Sequence, residues 1–182
     1  MDYKSKIILI AGPTASGKSK IAINLAKKIN GEIVNADSMQ VYKQLKILTA
    51  RPSEKDQKSI KHHLLGVVDV RKRFSTGQWL KECIKIINLI RKRKKIPIIV
   101  GGTGLYFKAL VDGLVRIPKF KPSEKNKILK LHKKLGQNQF YKKLIKLDPI
   151  SKKFVNLNDV NRSIRAYEVK KLTRKSLYKW FK

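Results

Sequence analysis

Gly12, Pro13, Thr14, Ala15, Ser16, Gly17, Lys18 and Ser19 stand in the order G-x-x-x-x-G-K-S. That spacing suits a loop that wraps a phosphate. The glycines let the backbone curl so that several N–H groups converge on one anion. The helix that follows would add the positive end of its dipole. Lys18 supplies a full charge for the outer phosphate, and the Ser19 hydroxyl can hold a magnesium ion. The motif therefore predicts a phosphate or diphosphate site with Mg2+ as its cofactor.

Two further sites carry usable chemistry. Asp37 follows a short apolar run, Ile33, Val34 and Ala36. At a strand end beside a phosphate loop, its carboxylate could support magnesium, act as a general base, or cap a turn. Ser38, Met39, Gln40, Val41 and Tyr42 follow with donors, acceptors and an aromatic face. Gly101-Gly102-Thr103-Gly104 is a second strand-to-glycine turn. There the Thr103 hydroxyl could bond a phosphate oxygen or cap the next helix. No aspartate ends that strand, which speaks against a motor-type ATPase. His62-His63 are adjacent and lack partners at metal-ligand spacing, so metal ligation is not expected of them.

These residues need a scaffold. Ile7-Ile8-Leu9-Ile10 reads as a buried parallel strand before the loop. Ile21, Ala22, Leu25, Ala26 and Ile29 then repeat at helical spacing, with Gly31 placed as the C-terminal cap. Residues 32–37 read as strand. Ser75 and Gln78 form a capping box for a helix carrying Trp79, Leu80, Cys83, Ile84, Ile87 and Ile90. Residues 96–100 form another buried strand. Alternating strands and helices predict an α/β fold with a parallel sheet, whose ligands bind at the carboxyl ends of the strands. Residues 12–19, 37–42 and 101–106 should thus meet at one rim. Beyond Gly113 and Pro118 the chain turns lysine-rich and helical. Ile128, Leu131 and Leu135 mark one helix, and Phe140, Leu144 and Leu147 a second that stops at Asp148-Pro149. Asn158-Asp159 caps a third. The expected division is a core over 1–113 and a basic helical unit over 114–182.

The bulk composition narrows the partners. The chain has 182 residues, with 44 Lys and Arg against 12 Asp and Glu, a net charge of +32. A polyanion such as nucleic acid is the natural partner. Lysine dominates, which an AT-rich genome also produces. No apolar run reaches the roughly 18 residues of a membrane span. The first strand begins almost at the N-terminus, which argues against a secretory signal. The lone Cys83 excludes an internal disulfide and reads as a buried small hydrophobe. A soluble, cytoplasmic protein is expected, with no membrane partner, and a monomer.

The blocks from Gly12 to Ser19, from Asp37 to Tyr42, and Gly101-Gly102-Thr103-Gly104-Leu105-Tyr106-Phe107-Lys108-Ala109-Leu110 together resemble the tRNA dimethylallyltransferase family, also called tRNA isopentenyltransferases. His62-His63-Leu64 and the tail from Asn158-Asp159 through Arg162, Arg165, Ala166, Glu168 and Val169 fit as well. The resemblance implies a P-loop NTPase-like core carrying a basic helical insertion unit. It implies transfer of a dimethylallyl group from its diphosphate to N6 of the adenosine 3′ of the anticodon in tRNA. The loop is of a nucleotide-binding, ATP-binding kind, but the resemblance makes its ligand the diphosphate of the prenyl donor. Magnesium would lie between Ser19 and that diphosphate. Asp37 would accept the N6 proton, and Thr103 would steady the diphosphate. Contacts to tRNA would come from Asp37, Ser38, Met39, Gln40, Thr103, Lys125, Asn161, Arg162, Ser163, Ile164 and Arg165.

Departures from the family pattern are visible. Ile47-Leu48-Thr49-Ala50-Arg51-Pro52 replaces I-G-T-A-K-P, and Lys61-His62-His63-Leu64-Leu65-Gly66 replaces P-H-H-L-I-D. Family members also continue well past the position of Lys182, back into the core. Three other readings compete with the first. An adenylate isopentenyltransferase acting on free AMP or ATP would not need the basic unit. A nucleotide kinase would leave the second and third blocks unexplained. A non-catalytic RNA-binding remnant would bind RNA without transferring a prenyl group.

Overall fold

The computed structural model describes residues 6–181. Two compact units divide between Leu114 and Val115.

The first unit is built on four parallel strands: β1 (Ile8–Ala11), β2 (Gly31–Asn35), β3 (His62–His63) and β4 (Ile96–Gly101), in the order β1-β4-β2-β3. The inner strands β4 and β2 are buried at every position. Helices cover both faces, so both faces must be apolar, and Ile96-Pro97-Ile98-Ile99-Val100 is the resulting continuous run. On one side α1 (Lys18–Ile29) packs Ala22, Ile23 and Ala26 against Ile33, Ile98 and Val100. On the other, α3 (Thr76–Lys92) brings Trp79, Cys83, Ile87 and Ile90 onto Val34 and Ile99. There Trp79 stacks on Tyr106 of α4 (Gly104–Val111), ring centroids 4.2 Å apart. Burial pushes the Cys83 thiol up to about 12.

Two expectations change. β1 is not a buried strand. It pairs only with β4 among the described residues and alternates in burial, with Leu9 41% exposed. Its apolar run fills one face, while the other stays open at the sheet edge. The cap of α1 is Asn30, not Gly31. Asn30 takes the left-handed conformation at φ 52°, and Gly31 is already the first residue of β2. Asparagine tolerates that region through local hydrogen bonding. The Ser75–Gln78 capping box forms as expected. A second one, Ser53 with Asp56, opens the short α2 (Glu54–Ser59).

The second unit contains α5 (Pro122–Leu147), α6 (Val160–Thr173) and α7 (Leu177–Trp180). Gly136, at φ 70° and ψ 167°, breaks α5 into the two helical stretches the apolar spacing predicts. Phe140, Leu144, Val155, Ala166, Tyr167 and Val169 form its core. Asp159 caps α6 by accepting the Arg162 N–H at 2.9 Å. Asp148, at the end of α5, is buried and accepts hydroxyl hydrogens from Ser151 at 2.9 Å and Ser176 at 2.8 Å. Among the described residues no helix is long and apolar enough to cross a membrane.

Candidate active site

The rim predicted from the three loops exists. Gly12 N–H reaches Gly101 O at 3.3 Å, and Thr103 N–H reaches Ala36 O at 3.1 Å. These bonds stitch the carboxyl ends of β1, β4 and β2 together. The close approach of β4 to β2 demands a glycine. A Cβ on Gly101 would sit 2.1 Å from the Ala36 carbonyl carbon. Gly17 supplies the left-handed turn, φ 77°, that launches α1. The residues of the phosphate loop before it, from Pro13 to Ser16, are exposed. Lys18 Nζ donates to Pro13 O at 2.7 Å and keeps two further hydrogens for an anion.

Asp37 lies two residues past β2. Its Oδ1 accepts the N–H groups of Met39 at 2.9 Å and Gln40 at 3.3 Å. The turn cap considered from sequence is therefore real, but it uses one oxygen. The second, Oδ2, lies on the Gly102 side. Asn35 holds this turn from behind. It accepts Asp37 N–H at 3.1 Å and donates to Asp37 O at 3.0 Å and Leu64 O at 3.1 Å. Trp79 Nε1–H in turn donates to Asn35 O at 2.9 Å. The Thr103 hydroxyl does not cap α4. It accepts the Ser38 N–H at 2.9 Å, which leaves its own hydrogen available.

A cleft of about 610 Å³ opens at this rim, lined by Thr14, Ala15, Gly17, Lys18, Ser19, Lys20, Asn24, Lys27, Asp37, Gln40, Thr49, Ala50, Pro52 and Asp56 among others. Beside it a space of about 20 Å³ has apolar walls from Ala22, Ile33, Pro52, Leu65 and Val100, and shares Lys18, Ser19, Asp37 and Gln40. Anion-binding cations, an oxygen-rich wall and a carboxylate thus share one concavity with an apolar recess. The cleft has room and charge for a diphosphate, whereas the recess is no larger than a water molecule. Gln40 closes one side by donating to Thr49 O at 2.9 Å.

Several supporting residues carried no signal in the sequence. Asn35 is one. Arg51, seen in the sequence only as a departure from the family pattern, is another: its Nη2 donates to Tyr42 O, and a Cβ on Gly66 would meet its guanidinium. Glu32 is the third. Buried in β2, it accepts from Arg93 Nη2 at 2.7 Å and from His63 Nε2–H at 2.7 Å, and pairs with Lys95 Nζ at 3.3 Å. Burial acts to raise its pKa, but the hydrogen bonds from Arg93, His63 and Lys95 outweigh it and hold the carboxyl at about 2. The two adjacent histidines part company here: His62 Nδ1–H donates instead to Ile60 O at 2.7 Å. Among the described residues no His, Cys, Asp and Glu cluster of metal-binding size occurs.

The remaining candidate residues lie in the second unit. Lys125, Asn161 and Arg162 are exposed, and Ile164 and Arg165 half-buried. Ser163 is fully buried and accepts from Gln137 Nε2 at 3.1 Å, so its side chain packs the helix rather than facing outward. Arg165 is committed to Glu168 at 2.6 Å and lies over the Phe120 ring at 5.7 Å.

The family model described as IPP transferase matches residues 40–182. The chain belongs to that family. A tRNA dimethylallyltransferase from Pelagibacter ubique is 62% identical over 180 residues, covering 99% of this chain and 58% of the relative. A crystallographically characterised eukaryotic dimethylallyltransferase acting on tRNA superposes with a TM-score of 0.78 at 34% identity, over 96% of this chain and 44% of the other. The full-length tRNA isopentenylpyrophosphate transferase of Bacillus halodurans gives 0.60 at 34% identity, over 94% and 57%. The chain thus spans about half the length of the relatives it matches, from 44% to 58%. Membership of the IPP transferase family, with these solved structures, identifies the parallel α/β core as P-loop NTPase-like.

Proposed function

We propose that this chain carries the donor site and part of the RNA-binding surface of a tRNA dimethylallyltransferase. The single observation that carries the reading is the placement of Asp37 in the same cleft as Lys18 and Ser19. A carboxylate within reach of a diphosphate site is what transfer to an amine requires.

The residues divide the work as follows. Backbone N–H groups between Thr14 and Ser19, the α1 N-terminus and Lys18 hold the diphosphate of dimethylallyl diphosphate. The exocyclic N6 of adenosine attacks C1 of the allyl group as the C1–O bond to diphosphate breaks. The N6 proton passes to Asp37 Oδ2, whose partner oxygen is fixed by the Met39 and Gln40 N–H groups. Negative charge grows on the departing diphosphate, where Lys18 and the loop amides stabilise it. Thr103, bonded to Ser38, keeps its hydroxyl hydrogen to steady that diphosphate.

The donor set fits magnesium. Ser19, Asn24 and Asp56 offer hard oxygens around the cleft. Mg2+ commonly binds through one or two such groups plus substrate phosphates. Bound there, it would neutralise diphosphate charge, held by the Ser19 hydroxyl.

The second unit supports tRNA over a free nucleotide. It carries 21 lysines and arginines against four acidic residues, far more than a mononucleotide could use. The proposal places the protein with tRNA in the cytoplasm, acting as a monomer. The test is transfer of radiolabelled prenyl group from dimethylallyl diphosphate to an anticodon stem–loop, with AMP as the competing acceptor. Label on RNA supports the reading. Label on AMP alone, or none on either with bound donor, contradicts it.

A further inference from the structure

We propose that Phe154 is a stacking platform for an unpaired RNA base, at a place in the second unit that the family motifs leave unassigned. The proposal rests on RNA being the partner.

The ring is held in an unusual state. One face of Phe154 stacks on Tyr178, centroids 4.3 Å apart and planes 16° from parallel. Yet Phe154 stays 52% exposed, and Phe181, next to Tyr178 at 6.3 Å, is 61% exposed. A large aromatic ring that is half covered gives up much of the burial energy it could gain. What remains is a flat apolar surface offered to solvent.

The surface is pre-built. Phe154 N–H bonds Ser151 O at 3.0 Å, and Tyr178 N–H bonds the Ser176 hydroxyl at 3.3 Å. Ser151 and Ser176 both donate their hydroxyls to Oδ2 of the buried Asp148. One carboxylate oxygen therefore fixes both segments that carry the stacked rings, so a ligand would not have to order them.

The surroundings select the ligand. Lys152 and Lys153 are exposed and directly precede Phe154. Arg162, its side chain 67% exposed, pairs with Asp159 at 3.4 Å on the first turn of α6. An apolar protein partner would have to bury these cations beside the rings. A nucleotide satisfies both features, its base on the ring and its phosphates on the cations. Only an unpaired base presents a free face, so loops are favoured over duplex.

The experiment measures binding of the full chain to an RNA hairpin with 2-aminopurine in the loop, and to a fully paired duplex of equal length. Phe154→Leu keeps apolar contact with Tyr178 and removes the aromatic face. It should weaken hairpin binding roughly 5- to 100-fold, reduce 2-aminopurine quenching, and leave duplex affinity and the salt slope unchanged. Phe154→Trp should restore both binding and quenching, which a purely structural role of the ring would not predict. Wild-type hairpin affinity in Phe154→Leu, equal losses on hairpin and duplex, or a change confined to self-association would overturn the proposal. Failure of the wild-type chain to bind either RNA would instead remove the RNA reading itself, and this inference with it.

Discussion

The Thr103 hydroxyl accepts the backbone N–H of Ser38 at 2.9 Å, across 65 residues of chain. Through this bond the loop after β4 fixes the loop after β2, and with it the turn that presents Asp37. Thr103→Val should leave the Ser38 N–H without a partner at about 1–3 kcal/mol, lowering thermal stability and disturbing the site. Thr103→Ser keeps the acceptor and should recover most of the loss. Equal melting of wild type and Thr103→Val would show that the bond does not hold the loop.

Inorganic diphosphate should bind in the cleft through Lys18 and Ser19. Charge-assisted hydrogen bonds contribute about 1.5–3 kcal/mol. Lys18→Ala should accordingly weaken diphosphate binding roughly ten- to a hundredfold, with or without magnesium. Ser19→Ala should lose affinity chiefly when magnesium is present. Titration calorimetry in magnesium and in EDTA separates the two. A Ser19→Ala deficit of the same size in EDTA would take magnesium away from this residue.

Glu32 makes stability depend on acid. Its carboxyl is held at about 2 against an ordinary 4.5, so the folded state favours the charged form. The contribution is complete above about pH 4.5 and fades as pH falls towards 2. It is on the order of 3 kcal/mol at neutral pH. Glu32→Gln should melt well below wild type at pH 7, and the gap should narrow at pH 3. Melting curves that stay parallel from pH 7 to pH 3 would show that the charged form is not favoured in the folded state.

Arg162 and Arg165 are expected to separate on substitution. Arg162 is exposed beside Asp159, whereas Arg165 is tied to Glu168 and Phe120. Arg162→Ala should weaken RNA binding and reduce the salt slope by nearly one unit without changing the melting temperature. Arg165→Ala should lower the melting temperature as well. Identical effects of the two would contradict this division.

Much of this was legible in the chain because it is local. A glycine pattern between a strand and a helix, or an apolar residue every third or fourth position, fixes its own neighbourhood. The loop of residues 12–19, the capping box at Ser75 and the break of α5 followed in this way. What stayed hidden depends on pairing across the sequence. Nothing near Glu32 announces Arg93 and Lys95, which reach it only because β2 pairs with β4. Nothing near Asn35 announces Leu64 or Trp79. The exposure of Leu9 follows from β1 lying at the sheet edge, which strand order alone decides. The burial of Ser163 required knowing that Gln137 lies across from it.

The most direct test of the central claim is single-turnover prenyl transfer by Asp37→Asn beside wild type, with donor binding measured on the same samples. Asparagine preserves the Oδ1 acceptor for Met39 and Gln40 and removes the base. The account predicts unchanged binding of dimethylallyl diphosphate and a transfer rate lower by about 10²- to 10⁴-fold. A transfer rate close to wild type would contradict it.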